Sequence, residues 1–115
     1  MLEIKSVLVT GASGKLGAPL CEALVAEGYH VIAADLRLPV GVDGVEELQL
    51  NITDDPAVQA AVARSDAVIH LASCKEDREA VIRVSAQGTF NLLDAAMRTK
   101  RPKRVILASG DAVNG

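Results

Sequence analysis

The chain alternates short, continuously apolar runs with longer stretches of helical periodicity. Runs such as Val7-Leu8-Val9 and Val105-Ile106-Leu107 contain no polar residue, whereas a strand with one solvated face would alternate apolar and polar side chains. This pattern is typical of parallel strands that helices cover on both faces. We therefore predict five strands: Ser6–Thr10, His30–Ala34, Glu46–Leu50, Ala67–Leu71 and Arg104–Ala108.

Three helical stretches separate these strands. The pattern predicts them at about Lys15–Glu27, Pro56–Arg64 and Lys75–Lys100. Gly28 is placed to stop the first helix, and Gly88 allows a bend in the third. Because strand-helix-strand crossovers are right-handed, we predict one α/β domain over residues 1–115. It is a three-layer sandwich whose parallel sheet has the strand order 3-2-1-4-5.

Composition and charge narrow the class of partner. The chain has a net charge of −3, one Tyr, one Phe and no Trp, so it offers neither a basic stripe nor a stacking surface for nucleic acid. Met1–Lys5 carries charges where a signal peptide needs an apolar core, and no apolar run approaches the roughly 20 residues of a membrane span. We expect a cytoplasmic protein without nucleic-acid, membrane or metal partners.

A glycine triplet follows the first predicted strand and opens the first predicted helix. Thr10–Gly17 reads Thr-Gly-Ala-Ser-Gly-Lys-Leu-Gly. The first glycine allows a tight turn, the second lets the backbone approach phosphates, and the third lets helix and strand pack closely. The helix N-terminus then points N–H groups and a partial positive charge at an anion. The pattern predicts a pyrophosphate site, although a turn that needs only small residues also fits the triplet taken alone.

An acidic residue stands where a dinucleotide site needs one. Asp35 directly follows the second apolar run, 18 residues beyond Gly17. A carboxylate at that place can accept both ribose hydroxyls of an adenosine and repels a 2′-phosphate, which favours NAD over NADP. Lys15 and Arg37 leave NADP open, because either cation could pair with a 2′-phosphate.

Five motifs in order resemble the extended short-chain dehydrogenase/reductases, in the group of NAD-dependent sugar epimerases and dehydratases that includes uronate dehydrogenases. The resemblance covers the whole chain and implies a Rossmann-type fold. It is carried by the glycine motif Gly11-x-x-Gly14-x-x-Gly17, the turn Asn51-Ile52-Thr53-Asp54, the fourth strand Val68–Ala72, the helix Gln87–Ala96 and the fifth strand Arg104–Ser109.

The resemblance also implies which residues contact the cofactor and which partners to expect. It implies a homodimer through the third helix and, in a full-length parent enzyme, a nucleotide-sugar or sugar-acid substrate. The candidate cofactor-binding residues are Gly11, Ser13, Gly14, Lys15, Leu16, Gly17, Asp35, Leu36, Arg37, Asn51, Ile52, Leu71, Ala72, Ser73 and Ser85.

Several positions depart from the family pattern. Asn51 and Ser85 stand where the family usually has Asp and Asn. The family's catalytic hydroxyl falls on Gly110, so Ser109, one place early, is the candidate for that role, and no other catalytic residue is assigned. The family's Tyr-x-x-x-Lys pair, its general acid/base, is absent, since Tyr29 is the only Tyr. We therefore expect NAD binding without turnover.

Three functions remain open at this point. The favoured one is the N-terminal cofactor half of an NAD-dependent sugar oxidoreductase or epimerase, with its acid/base beyond Gly115. The second is a complete, non-catalytic NAD-binding or redox-sensing module. The third is a fragment that folds and binds nothing. His70 does not decide among them, because a His in an apolar strand is more often a hydrogen-bonded core residue than a base.

Overall fold

Strands and helices alternate along the described part of the chain, except that the second strand leads directly to the third. The computed structural model describes residues 3–71, 78–99 and 104–107, and within these it leaves out the side chains of residues 78–85. The elements are β1 (Ser6–Thr10), α1 (Gly17–Ala26), β2 (His30–Asp35), β3 (Glu46–Gln49), α2 (Asp55–Ala63), β4 (Ala67–His70), α3 (Arg78–Arg98) and β5 (Arg104–Leu107).

The strands form one parallel sheet in the order β3-β2-β1-β4-β5. Thr10 at the end of β1 lies between Ala34 of β2 and His70 of β4, and Asp35 pairs with Gln49 of β3. This confirms the predicted Rossmann-type fold and strand order. Because all five strands run the same way, their carboxyl ends meet along one edge, where this topology places ligands.

Alternate residues of the central strands pack into two separate hydrophobic layers. Leu8 and Ile32 pack with α2 and α3, whereas Val7, Val9 and Val31 pack with α1. All five of these side chains are buried. Burial on both faces is the reason that β1, β2 and β4 are continuously apolar, as the sequence pattern indicated. β5 departs from that prediction, because it ends the described sheet and leaves Ile106 51% and Leu107 43% exposed.

The helix ends follow from local chemistry. α1 begins at Gly17 rather than at the predicted Lys15, since the glycine turn continues through residue 16. At its other end Gly28, with φ of 93°, donates its N–H to the Val25 carbonyl, as a C-terminal glycine should. α2 begins after Asp54, whose side chain accepts the N–H of Ala57.

The strand ends and α3 differ from prediction in detail. β3 and β4 end one residue before the predicted Leu50 and Leu71, yet each of these residues still donates one backbone hydrogen bond to its neighbouring strand. α3 runs through Gly88 without interruption. The predicted helical residues 75–77 and 100, and the strand residue at 108, lie outside the described part of the chain.

At the amino ends of the strands, a buried carboxylate joins two neighbouring strands. Asp66 Oδ2 accepts the backbone N–H groups of Lys5 and Ser6 at 2.8 and 3.0 Å. This fixes the start of β1 to the start of β4, far from the edge where the glycine turn lies. Among the described residues, no helix is both long and apolar enough to cross a bilayer.

Candidate cofactor site

The glycine turn joins β1 to α1 at the carboxyl edge of the sheet. Gly11 has a φ of 72°, a conformation that side chains disfavour. The next residue, Ala12, is buried and donates its N–H to Ala34 of β2 at 3.1 Å. The Gly14 N–H then closes the turn on the Gly11 carbonyl at 3.1 Å. The turn is thus anchored to the sheet on one side and exposed on the other.

Gly17 and Gly14 lack side chains for different reasons. A Cβ on Gly17 would lie 2.3 Å from the Gly11 carbonyl oxygen and 2.6 Å from the Ala12 Cα, so the start of α1 packs directly on the turn. A Cβ on Gly14 would meet the Gly11 oxygen at 3.3 Å, which is tight but tolerable. Packing within the chain therefore requires glycine at 17, whereas at 14 it does not. The open side of Gly14 is where a ligand backbone could come close.

The N-terminus of α1 is left without a side-chain cap. Its N-cap residue is Leu16, its first turn has no acidic residue, and within the described part of the chain the backbone N–H groups of Lys15, Leu16 and Gly17 have no acceptor. α2, by contrast, has both the Asp54 cap and Asp55 in its first turn. An uncapped helix N-terminus favours an anion by its N–H groups and its dipole.

Asp35 connects the end of β2 to the glycine turn. One carboxylate oxygen accepts the Ser13 N–H and the other accepts the Arg37 N–H, both at 3.0 Å. Burial raises the pKa of Asp35, but these hydrogen bonds from Arg37 and Ser13 outweigh it and hold the pKa below its usual value. The carboxylate is therefore ionised at neutral pH.

Exposed side chains surround this acid and the turn. Leu16 is 67% exposed and Leu36 is 58% exposed, so two apolar side chains border the glycine turn and Asp35 at the surface of the described chain. Lys15 and Arg37 are also exposed. These are the side chains that a bound ligand would bury.

Three hydrogen bonds and one packing contact hold the turn that follows β3. Asn51 Oδ1 accepts the Thr53 N–H at 3.0 Å and the Thr53 hydroxyl at 2.7 Å. The Ile52 carbonyl accepts Asn91 Nδ2 of α3 at 2.9 Å, and the Ile52 side chain is buried against Gly88. Ile52, a predicted cofactor contact, therefore has its side chain in the core and its carbonyl engaged. Asn51 remains at the surface of the same edge.

A buried pair lies beneath the end of the glycine turn. His70 Nδ1 and Thr10 Oγ1 are 2.6 Å apart, and the Leu71 N–H donates to the same hydroxyl at 3.2 Å. The hydroxyl and the ring share one buried hydrogen bond, whose direction is set by the tautomer of His70. Burial lowers the pKa of His70 to about 4. His70 is a neutral, hydrogen-bonded core residue, as its sequence context favoured.

The structure brings most of the predicted contacts to this one edge. The glycine turn, Asp35 with its two neighbours, Asn51 and the half-buried Leu71 all lie at the carboxyl ends of β1 to β4. Ala72, Ser73 and Ser109 lie outside the described residues, as does the side chain of Ser85. Sequence reasoning did not assign Thr10 or Asn91 to the site, although a buried amide within an apolar helix face is a signal that could have indicated Asn91.

These residues fit a dinucleotide. The turn has an open glycine at 14 that a Cβ would partly fill, uncapped N–H groups for a pyrophosphate, and an ionised acid beside it for ribose hydroxyls. The family model of the NAD dependent epimerase/dehydratase family matches residues 7–115. The chain belongs to this family. The resemblance found in the motifs is thereby confirmed, and NAD is the cofactor in the family's description.

Solved structures share the fold over nearly the whole chain. A uronate dehydrogenase from Agrobacterium tumefaciens, complexed with NAD, is 33% identical with a TM-score of 0.81, over 94% of this chain and 42% of that one. A glucuronic acid dehydrogenase from Chromohalobacter salexigens is 27% identical with a TM-score of 0.81, over 95% of this chain and 42% of that one.

A curated relative extends the comparison to another activity. The UDP-glucose 4-epimerase uge1 of Schizosaccharomyces pombe is 28% identical, over 96% of this chain and 36% of its own length. The chain thus spans well under half of the length of these relatives.

Proposed function

We propose that this chain is the NAD-binding domain of an NAD-dependent sugar epimerase/dehydratase or sugar dehydrogenase. The observation that supports this most strongly is the pairing of Asp35 with the glycine turn. The carboxylate that would accept ribose hydroxyls is hydrogen-bonded to Ser13 in the very turn that would hold the pyrophosphate. One side chain thus sets the relative position of the two subsites.

Each part of the site has a separate task in this proposal. The N–H groups at the start of α1 bind the pyrophosphate, Asp35 binds the adenosine ribose, and Leu16 and Leu36 cover apolar surface of the ligand. The chemistry that NAD supplies when bound is the acceptance and return of a hydride. The neutral His70 ring and Thr10 hold the ends of β4 and β1 together beneath the turn.

The charge at Asp35 favours NAD over NADP. An ionised carboxylate with a lowered pKa repels a 2′-phosphate at neutral pH. Lys15 and Arg37 are exposed and could turn toward such a phosphate. The preference for NAD over NADP therefore depends on whether repulsion by Asp35 outweighs attraction by these two cations. We propose NAD as the preferred cofactor.

The sequence contains no Tyr-x-x-x-Lys pair. Tyr29, its only Tyr, directly precedes β2 and so lies at the edge of the sheet opposite the glycine turn. General acid–base catalysis by a positioned side chain typically raises the rate about 10²–10⁴-fold. We therefore propose that the 115-residue chain binds NAD without oxidising or epimerising a sugar by itself.

Titration calorimetry with NAD and NADP tests this proposal. Asp35→Ala should weaken NAD binding by roughly 1–3 kcal/mol, because ribose hydroxyls lose their acceptor. It should weaken NADP binding much less, since it also removes repulsion. Glu22→Ala, which removes an exposed carboxylate from α1, is the matched control and should leave both affinities unchanged. If the folded chain binds neither dinucleotide, the proposal is wrong.

The substrate class and cellular location stay predictions. The similar proteins are named for a uronate, glucuronic acid and UDP-glucose. We propose a sugar acid or nucleotide sugar as the substrate of the enzyme that contains this domain. We also retain the predicted cytoplasmic location and the predicted absence of nucleic-acid and membrane partners.

An exposed apolar face on α3 favours a homodimer. Phe90 is 62% and Met97 85% exposed, with Leu93 on the same face between them. We propose that a second copy of the chain covers this face. Light scattering should show a dimer that Leu93→Glu converts to a monomer, whereas Glu22→Lys, on α1, should leave it intact. A monomer for the wild-type chain at high concentration would contradict this.

A further inference from the structure

The turn after β3 presents a hydrogen-bond donor next to the proposed ribose acid. Leu50 donates its N–H to the Asp35 carbonyl at 3.0 Å, and Gln49 pairs with Asp35 in the sheet. Asn51 is the next residue and is exposed. In an adenosine dinucleotide the base is bonded directly to the ribose. A ribose on Asp35 therefore brings the base to the side of the crevice where Asn51 lies.

The side-chain orientation of Asn51 is set by its neighbours. A backbone N–H can only donate, so the atom 3.0 Å from the Thr53 nitrogen must be the amide oxygen. The Thr53 hydroxyl donates to that oxygen as well, at 2.7 Å. Both lone pairs of Oδ1 are thus used within the turn, and the group left for a ligand is the amide NH₂, which only donates.

The turn has little freedom to present the other face of this amide. The following residue, Ile52, is buried under α3, and its carbonyl accepts the buried Asn91 amide. The Asp54 N–H donates to the Asn51 carbonyl at 2.9 Å, and Asp54 caps α2. Rotation of Asn51 to expose its oxygen would break two hydrogen bonds in a turn that is fixed at both ends.

A donor at this place has a chemical consequence for the base. Adenine carries an amine, which donates, at its 6-position, whereas a 6-oxopurine carries an acceptor oxygen there. A free asparagine can pair with both N6 and N7 of adenine, but that mode needs the oxygen that Thr53 holds. An Asp at 51 would keep one oxygen on Thr53 and offer its second oxygen as an acceptor for the adenine amine.

We infer that Asn51 is a base-specificity residue that presents a donor, so that this chain discriminates weakly between adenine and a 6-oxopurine in the dinucleotide. The inference rests on the proposed function, because it takes the site to be a dinucleotide site. It concerns the base subsite alone and leaves the pyrophosphate and ribose contacts as described.

Calorimetry with NAD and nicotinamide hypoxanthine dinucleotide tests it, since the two differ only at the 6-position and at N1 of the purine. The wild-type chain should bind the two with similar affinity or prefer the hypoxanthine form. Asn51→Asp should shift the ratio of the two affinities about tenfold toward NAD. The added negative charge acts equally on both ligands and cancels in this ratio.

A second variant checks the direction of the shift. Asn51→Ala removes the donor that suits a 6-oxopurine, so it should weaken the hypoxanthine dinucleotide more than NAD and give a ratio between those of the wild-type chain and Asn51→Asp. If both dinucleotides bind and Asn51→Asp leaves the ratio within about twofold, the inference is wrong and the proposed function stands. If neither dinucleotide binds to the folded chain, both fail.

Discussion

The buried His70 should make the stability of the fold depend on pH in a definite window. This residue is 5% exposed, and burial lowers its pKa from 6.5 to about 4. The folded chain therefore keeps this histidine neutral, while the unfolded chain protonates it below about pH 6.5. Protons bound only by the unfolded state stabilise that state, so stability is full above pH 6.5 and is lost as the pH falls toward 4.

The magnitude follows from the two pKa values. One unit of pKa corresponds to about 1.4 kcal/mol, so the full difference between 6.5 and about 4 is worth about 3 kcal/mol at acid pH. About 2 kcal/mol of this should be lost between about pH 7 and pH 5. Asp35 and Glu46 have lowered pKa values, and stability that depends on such carboxylates is lost only at more acid pH.

Urea unfolding followed by far-ultraviolet circular dichroism measures this loss. His70→Asn keeps a polar side chain that can accept from or donate to the Thr10 hydroxyl, but it does not titrate. The variant starts less stable at neutral pH, yet its loss of stability between about pH 7 and pH 5 should be smaller than that of the wild-type chain by about 2 kcal/mol. His30→Asn, at the chain's other histidine, is the matched control. Equal pH dependence in the wild-type chain and His70→Asn would refute the reasoning.

Glycine substitutions give the remaining predictions. Gly17→Ala should destabilise the fold by roughly 1–3 kcal/mol in urea unfolding, because its Cβ would overlap the backbone of the turn. Gly14→Ala should stay within about 1 kcal/mol of wild type and yet weaken NAD binding by calorimetry; equal stability losses in the two variants would contradict the division of roles. At Gly88 an added Cβ would lie 2.3 Å from Ile52 Cδ1, so Gly88→Ala should be destabilising, but less so in an Ile52→Ala background. Additivity of the two changes within about 0.5 kcal/mol would show that they do not interact.

The fold was predictable because its signals are local. Continuous apolar runs indicate strands that are covered on both faces, and right-handed crossovers leave few strand orders for such a pattern. The glycine turn and Asp35 were predictable for the same reason, since each stands at a fixed distance from a strand end. The sequence therefore determined the sheet order and the edge of the sheet where the site lies.

The structure alone showed how that edge is held together. Asn91 reaches the Ile52 carbonyl across 39 residues, and Thr10 meets His70 across 60. Gly88 lets α3 lie close to the turn after β3, because Ile52 occupies the place of its missing Cβ. From the sequence, this glycine was interpreted as allowing a bend. No periodicity along the chain records which polar group will face which, since that depends on how two elements pack.

The orientation of single groups was decided partly by a tertiary contact, from Ser13 to Asp35, and partly by local contacts within each turn, from Arg37 to Asp35 and from Thr53 to Asn51. From the sequence, Asp35 is a free acid for a ribose and Asn51 an amide of either polarity. In the folded chain Asp35 holds two backbone N–H groups, and the oxygen of Asn51 is taken by Thr53. Residue types and spacing fix which chemistry is present at the edge of the sheet. The packing of the turns around them fixes which lone pairs and hydrogens remain for a ligand, because every hydrogen bond made within the chain removes one.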